Sequence, residues 1–238
     1  MEPTLSERKK ESYKIFNEIS GTYDFLNHFL SAGIDIYWRK QLMRQIPKGR
    51  TNLQALDLAT GTGDVALGLA ASPSIAKITG IDMSQGMIEQ GKIKVKKRGL
   101  ESKINLDIGD GVEVPYPDNS FDLVTLSFGI RNFSDPLKSL KNIYRVLRPN
   151  GKVVIIEFSL PKSALIRKPY LFYFRKVLPK VGNLLSGHAD AYSYLNKTVE
   201  DFPYGESFLQ LAKQAGFSSL KQIPLSFGIA ALYVGEKH

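Results

Sequence analysis

Apolar residues follow two different periods along this chain. Between Tyr13 and Leu30, Ile15, Phe16, Ile19, Tyr23, Leu26 and Leu30 recur at spacings of three and four, the stripe of an amphipathic helix that Gly21 can interrupt. Such a stripe must pack on something. It either covers an edge of the core or presents Tyr23, Asp24, Asn27 and His28 to a ligand as part of a lid. A second short helix around Trp38 and Arg39 ends near Pro47-Lys48-Gly49. Beyond it the apolar positions gather into short runs: Leu56 to Ala59, Lys77 to Asp82, Ile104 to Asp110, Asn119 to Phe128 and Lys152 to Phe158 read as strands. Between them, Val65 to Ala71, Met87 to Arg98 with Ser84 as its cap, and Pro136 to Leu147 read as helices, the last closed by Arg148-Pro149-Asn150-Gly151. This alternation predicts an α/β, doubly wound, mostly parallel sheet that binds ligands at the strands' carboxyl ends, where Gly61, Asp82, Asp110 and Ser127 fall.

The rhythm changes at Pro161. Tyr170 to Pro179 is apolar nearly all round and flanked by Arg167, Lys168, Lys176 and Lys180, so it is either an inserted core helix or a cap whose aromatic and basic residues meet a lipid surface or a greasy substrate. A helix over Tyr204 to Ala215 and a pair of strands, Ser218 to Leu225 and Ile229 to Val234, close the chain. The expected division is a helical lid at 1–50, a ligand-binding half at 51–160, a cap insertion at 161–203 and the closing helix and strands of the same domain at 204–238.

Composition narrows the classes. At 238 residues and 43% hydrophobic, the chain can bury one full core. No run of eighteen apolar residues occurs and the first residues are polar, so a soluble, cytoplasmic protein without a signal or spanning helix is expected. The absence of cysteine excludes disulfides, thiolate nucleophiles and cysteine-held metals, and the scattered His28, His188 and His238 make no metal-ligand spacing. The net charge of +9 invites nucleic acid or an anionic membrane. The excess sits in two clusters, Lys92 to Arg98 and Lys162 to Lys180. The aromatics of the second are mixed with Leu and Val rather than spaced for base stacking, so no nucleic-acid partner is expected.

The chemistry is densest at Leu56 to Asp64. Gly61 and Gly63, following an apolar run and opening a helix, make a turn whose backbone can approach a ligand closely. The pattern Gly61-x-Gly63-x-x-Ala66 also satisfies the dinucleotide fingerprint. Asp82 ends the next strand nineteen residues after Gly63, the spacing at which a carboxylate reaches the vicinal hydroxyls of a ribose. A ribonucleoside ligand follows, with an NAD-dependent oxidoreductase still open and a basic RNA-binding methyltransferase as a compromise with the charge.

The motifs Asp57-x-Ala59-x-Gly61-Thr62-Gly63-Asp64, Gly80-x-Asp82-x-Ser84, Gly109-Asp110-Gly111, Ser127 to Asn132, Arg145 to Gly151 and Glu157-Phe158-Ser159-x-Pro161 together resemble class I S-adenosylmethionine methyltransferases. Phe128-Gly129-x-Arg131-Asn132 with Glu157-Phe158-Ser159 narrows the likeness to the menaquinone/ubiquinone biosynthesis C-methyltransferases, over about Phe16 to Gly235. The resemblance implies a Rossmann-like seven-stranded sheet with an antiparallel closing strand, a helical lid and a helical cap. It implies that Gly61, Thr62 and Gly63 contact the methionine part of S-adenosylmethionine, Asp82 and Met83 the ribose side, Asp110 and Gly111 the adenine, and Ser127 the region of the transferring methyl. S-adenosylhomocysteine is then the product and no metal is needed. The ring of a polyprenyl hydroquinone would meet Tyr23, Phe128, Asn132, Tyr170, Phe174 and Tyr192. Arg131 would stabilise the hydroquinolate, unless it is a structural ion pair, and His188, Tyr192 and Asp24 are further candidates for proton handling. Ala59 replaces the first glycine of the generic turn and is expected to fit without loss, and Gly111 stands where relatives often have alanine. Peripheral association with the inner face of the membrane is expected, and assembly with further copies of the chain stays open.

Overall fold

The computed structural model describes residues 11–181 and 189–238, with side chains in the second stretch from residue 194 onward. The apolar runs are strands: β1 (Leu53–Leu58), β2 (Ile75–Asp82), β3 (Ile104–Ile108), β4 (Phe121–Ser127), β5 (Leu147–Phe158), β6 (Ser218–Leu225) and β7 (Ala230–Glu236). They form one sheet in the order β3-β2-β1-β4-β5-β7-β6. The first five run parallel, and β7 lies antiparallel between β5 and β6. The doubly wound sheet with its antiparallel closing strand is therefore present.

Central strands are buried on both faces, which is why they read as unbroken apolar runs. Ala55, Leu123 and Val154 point into one core with Trp38, Leu42 and Leu69. Their neighbours Leu56, Val124 and Ile155 point into the other, with Leu140, Ile143 and Phe208. Around the sheet pack α1 (Ser12–Ile19), α2 (Tyr23–Leu30), α3 (Ile34–Met43), α4 (Asp64–Ala70), α5 (Gln85–Lys97), α6 (Pro136–Val146), α7 (Ala164–Phe172), α8 (Ala189–Asp201) and α9 (Glu206–Gln214). Caps fall where side chains can supply them: Ser84 Oγ accepts from the Met87 amide, and Asp135 accepts from Lys138 ahead of Pro136.

One break falls where the sequence allowed it, and one boundary differs from expectation. The first stripe is two helices, α1 and α2, separated at residues 20–22 around Gly21. Arg148 to Gly151, expected only to stop a helix, already belongs to β5. The pairing with β4 passes from Phe121–Leu147 to Leu123–Lys152, so these residues are taken up as an irregularity in one edge of the ladder. The helix carbonyls at Arg145 and Val146 are satisfied by the Asn119 and Ser120 amides, which lets α6 pass into β5 without a loop.

The first three helices are stitched to the sheet by polar contacts. Asn17 Oδ1 accepts from Ser84 Oγ (2.7 Å) and the Gly86 amide (2.9 Å), seating α1 on the start of α5. Trp38 Nε1 donates to Ser226 Oγ (2.9 Å) in the turn between the last two strands. In the insertion, α7 continues through a wide π-type turn, Tyr173–Val177, which buries Phe174 and Leu178 against Val199 of α8. The Tyr173 hydroxyl donates to the Leu30 carbonyl, joining the insertion to α2.

Candidate active site at the tips of the parallel strands

The turn after β1 is left-handed at three residues: Ala59 (φ 49°), Gly61 (φ 55°) and Gly63 (φ 81°). Glycine adopts such angles freely, whereas alanine does so at a cost of roughly 1 kcal/mol. The expectation that Ala59 fits without loss holds for space but not for backbone conformation. Gly80 has a packing reason: a Cβ there would stand 2.5 Å from Leu106 and 2.9 Å from Thr60. Below the turn, Asp57 is fully buried and accepts from Thr60 Oγ1 and Thr125 Oγ1, both at 2.6 Å. Burial pushes its carboxyl up to about 6, against the lowering effect of these two hydroxyls.

Asp82, at the tip of β2, accepts from the amides of Gly61 (2.9 Å) and Ser84 (2.8 Å). Burial raises its carboxyl above the ordinary range, and those amides oppose the rise. Each oxygen keeps acceptor capacity, as a ribose diol requires. Asp82 opens onto a hollow that Met83, Asp110, Gly111, Asn132 and Phe133 share with Tyr13 and Phe16 of α1. Asp110 Oδ1 accepts from the Val112 amide (2.7 Å), so it also shapes its own turn. A Cβ on Gly111 would fall on the Phe133 ring, so alanine there would need that ring to shift. Asn132, expected on the substrate side, lines this hollow, and its Oδ1 is buried without a hydrogen-bond partner.

A second hollow lies between the tips of β1 and β4, lined by Asp57, Gly61, Thr62, Asp64 and Ser127, with Tyr23, Asn27 and Arg39 above them. Ser127 Oγ is likewise buried without a partner. The Thr62 hydroxyl donates to Asp24 Oδ1 (2.6 Å). Lys94 Nζ meets Asp24 Oδ2 at 2.5 Å, Asp64 Oδ1 at 2.6 Å and Thr62 Oγ1 at 2.9 Å. Asp24 therefore ties α2 to the turn and to α5, with both oxygens engaged.

Tyr23, Asn27, Arg39 and Phe128 connect this space to a third, apolar hollow behind α1, α2 and α3. Trp38, Phe128 and Phe158 form its aromatic wall, with ring centroids 4.6 to 6.0 Å apart. Phe128 reaches it from a left-handed backbone (φ 57°). Arg131 is the buried cation of this wall. It meets Glu157 Oε1 at 2.7 Å, donates to the Phe128 carbonyl and lies 5.2 Å over the Phe158 ring, while its Nε has no partner. Tyr170 and Phe174 stack on each other in the insertion (5.4 Å), outside the residues lining this hollow. His188 and the Tyr192 side chain lie outside the described residues. Trp38, Arg39, Phe158 and the α1 residues were not singled out as candidates from the sequence, because their sites are assembled by helices far from the glycine turn.

The chain matches the ubiE/COQ5 methyltransferase family over residues 4–237. It belongs to that family. This decides against the NAD-dependent reading of the glycine turn. Among its relatives, the ubiquinone/menaquinone biosynthesis C-methyltransferase UbiE of Geotalea daltonii is 45% identical, covering 98% of this chain and 99% of the relative. A demethylmenaquinone methyltransferase of Thermus thermophilus is 40% identical over 94% of this chain and 100% of the relative. Among solved structures, an S-adenosylmethionine-dependent methyltransferase of Thermotoga maritima superposes with a TM-score of 0.67 at 20% identity, covering 95% of this chain and 99% of that one, a likeness of fold. This methyltransferase thus uses S-adenosylmethionine. The residues present fit it: the unpartnered Ser127 Oγ and Asn132 Oδ1 stand in the two hollows that flank Asp82 and the glycine turn. Among the described residues no group of acids and histidines could hold a metal ion, and no helix is long and apolar enough to cross a membrane.

Proposed function

We propose that this methyltransferase methylates a ring carbon of a reduced polyprenyl quinone, demethylmenaquinol or the equivalent ubiquinone-pathway methoxybenzoquinol. The observation that carries this reading is the apolar, aromatic-walled hollow with one buried guanidinium, continuous with the space above Ser127. A hydroquinone ring fits between aromatic faces, and the helices α1 to α3 exclude water from it. S-adenosylmethionine, when bound, supplies an electrophilic methyl on sulfur. The protein's part is to aim the ring and raise its electron density.

Arg131 does the second. Its unpartnered Nε can donate to a hydroquinolate oxygen, and its charge favours the anion, while Glu157 holds the guanidinium in place. Tyr23 is kept protonated because burial raises its hydroxyl, so it acts as a donor to the ring oxygens rather than as a base. Asp24 is held by Thr62 and Lys94 and positions the lid. His188 and Tyr192 remain the candidates to take the proton. Asp82 holds the ribose, Asp110 and Gly111 the adenine, and Ser127 the end nearest the methyl.

The substrate's prenyl tail places the enzyme at the inner face of the membrane. Supporting this, α2 exposes Phe25 (60%) and Phe29 (55%) and α7 exposes Leu165 (87%) and Phe172 (65%), with Arg167, Lys168 and Lys176 beside the latter. Incubation with labelled S-adenosylmethionine and each demethylated quinol, reduced or oxidised, tests the proposal. Ring-methylated product from a reduced quinol alone is expected, and no product from any quinol would overturn it.

A further inference from the structure

The hollow between β1 and β4 holds an electrostatic mismatch that points to a residue of the lid. The methionine part of S-adenosylmethionine carries both an ammonium and a carboxylate. Two acids, Asp57 and Asp64, line the hollow and suit the ammonium. A carboxylate brought into the same space needs a cation. Lys94 is close but saturated, since the three protons of its ammonium face Asp24, Asp64 and Thr62. Arg39, from α3, is the cation among the residues lining the hollow. Its Nη1 meets Asp35 at 2.7 Å and its Nη2 meets Asp64 at 3.3 Å. A guanidinium has five N–H donors, so two such contacts leave a majority of them for a further partner. The side chain keeps 18% of its surface exposed, enough for a ligand to reach it.

We infer that Arg39 receives the carboxylate of the cofactor's methionine part, so that the lid helix α3, and not only the glycine turn, binds the cofactor. This rests on the assignment of the β1–β4 hollow to the methionine end. Asp35 and Asp64 hold the guanidinium at the hollow in advance, and Asp35 is itself fixed by Ser31 Oγ (2.7 Å) and His28 Nδ1 (2.7 Å). Because Arg39 also lines the apolar hollow, the charge contact that completes the cofactor site fixes one wall of the neighbouring one.

Calorimetry with two ligands tests this: S-adenosylhomocysteine, which carries the carboxylate, and 5′-methylthioadenosine, which keeps the nucleoside and sulfur but lacks the amino-acid group. Arg39→Gln should weaken S-adenosylhomocysteine at least tenfold while leaving methylthioadenosine within twofold of the unaltered protein. Arg39→Lys, which keeps a charge facing the same acids, should show a smaller loss with the same selectivity, and it carries the comparison should Arg39→Gln fail to fold. Equal losses for both ligands, or no loss for S-adenosylhomocysteine, would overturn the role of Arg39. Failure of the unaltered protein to bind S-adenosylhomocysteine would instead overturn the assignment of the hollow, and the inference with it.

Discussion

Asp57 is a buried acid with hydroxyl partners on both oxygens, and burial outweighs both these and the charge of Arg39. Its carboxyl is pushed up by burial to about 6, above the ordinary aspartate value of 3.8. Well below pH 3.8 the carboxyl is neutral in both folded and unfolded chains. As pH rises through 4 to 6 the unfolded chain ionises first, and stability is lost, in total about 3 kcal/mol above the folded value. Asp57→Asn removes the titration, so in urea unfolding the variant should gain on the unaltered protein between pH 4.5 and 7.5. A constant difference across that range would refute the assignment. The residue types of the site were legible because strand tips put Asp82, Asp110 and Ser127 at motif positions. What was hidden is what each carboxylate is busy with. Asp24 looked like a base in the pattern and is engaged by Thr62 and Lys94. Gly111 looked like a departure and leaves room for the Phe133 ring, a contact no spacing rule contains.

At the scale of elements, strands and helices were readable wherever a period of two or an unbroken run met a glycine, proline or cap. The misread stretch, Arg148 to Gly151, carries loop chemistry, yet it lies within β5 as an irregularity that the pairing with β4 skips, between Leu147 and Lys152. The lid's helices were visible as a stripe, but their docking depends on polar side chains such as Asn17 and Asp24, which no stripe shows. That docking can be weakened selectively. Lys94, Asp24 and Asp64 are each a quarter to a third exposed, so their contacts contribute only about 1 kcal/mol apiece. Asp24→Ala should therefore lower overall stability by little, while hydrogen exchange in 12–43 accelerates and the amides of β1 and β4 stay protected. Uniform acceleration through the sheet would show that Asp24 supports the whole fold.

At the scale of the molecule, the sheet keeps its chemistry at one end, and both the lid and the insertion approach that end, joined to each other by Tyr173 and Leu30. The exposed aromatics lie on α2, whose Tyr23, Leu26 and Asn27 line the apolar hollow, and on α7 of the insertion, so under the proposed function a bilayer would be met beside that hollow. Flotation with anionic vesicles at low salt should carry the protein upward, and Phe25→Ser with Phe172→Ser should abolish it without shifting the melting temperature. Absence of flotation by the unaltered protein would refute membrane docking.

Trp38 bonds to Ser226 across 188 residues of chain. During synthesis, then, this tie of α3 cannot form until the last strands have left the ribosome. The cofactor turn, the five parallel strands and the contacts of α1 and α2 with them can form earlier, being nearer in sequence, so the tie of α3 to the closing turn is the last to be made. Trp38 is also the chain's single tryptophan, so its fluorescence on refolding reports the moment when the two ends of the polypeptide meet.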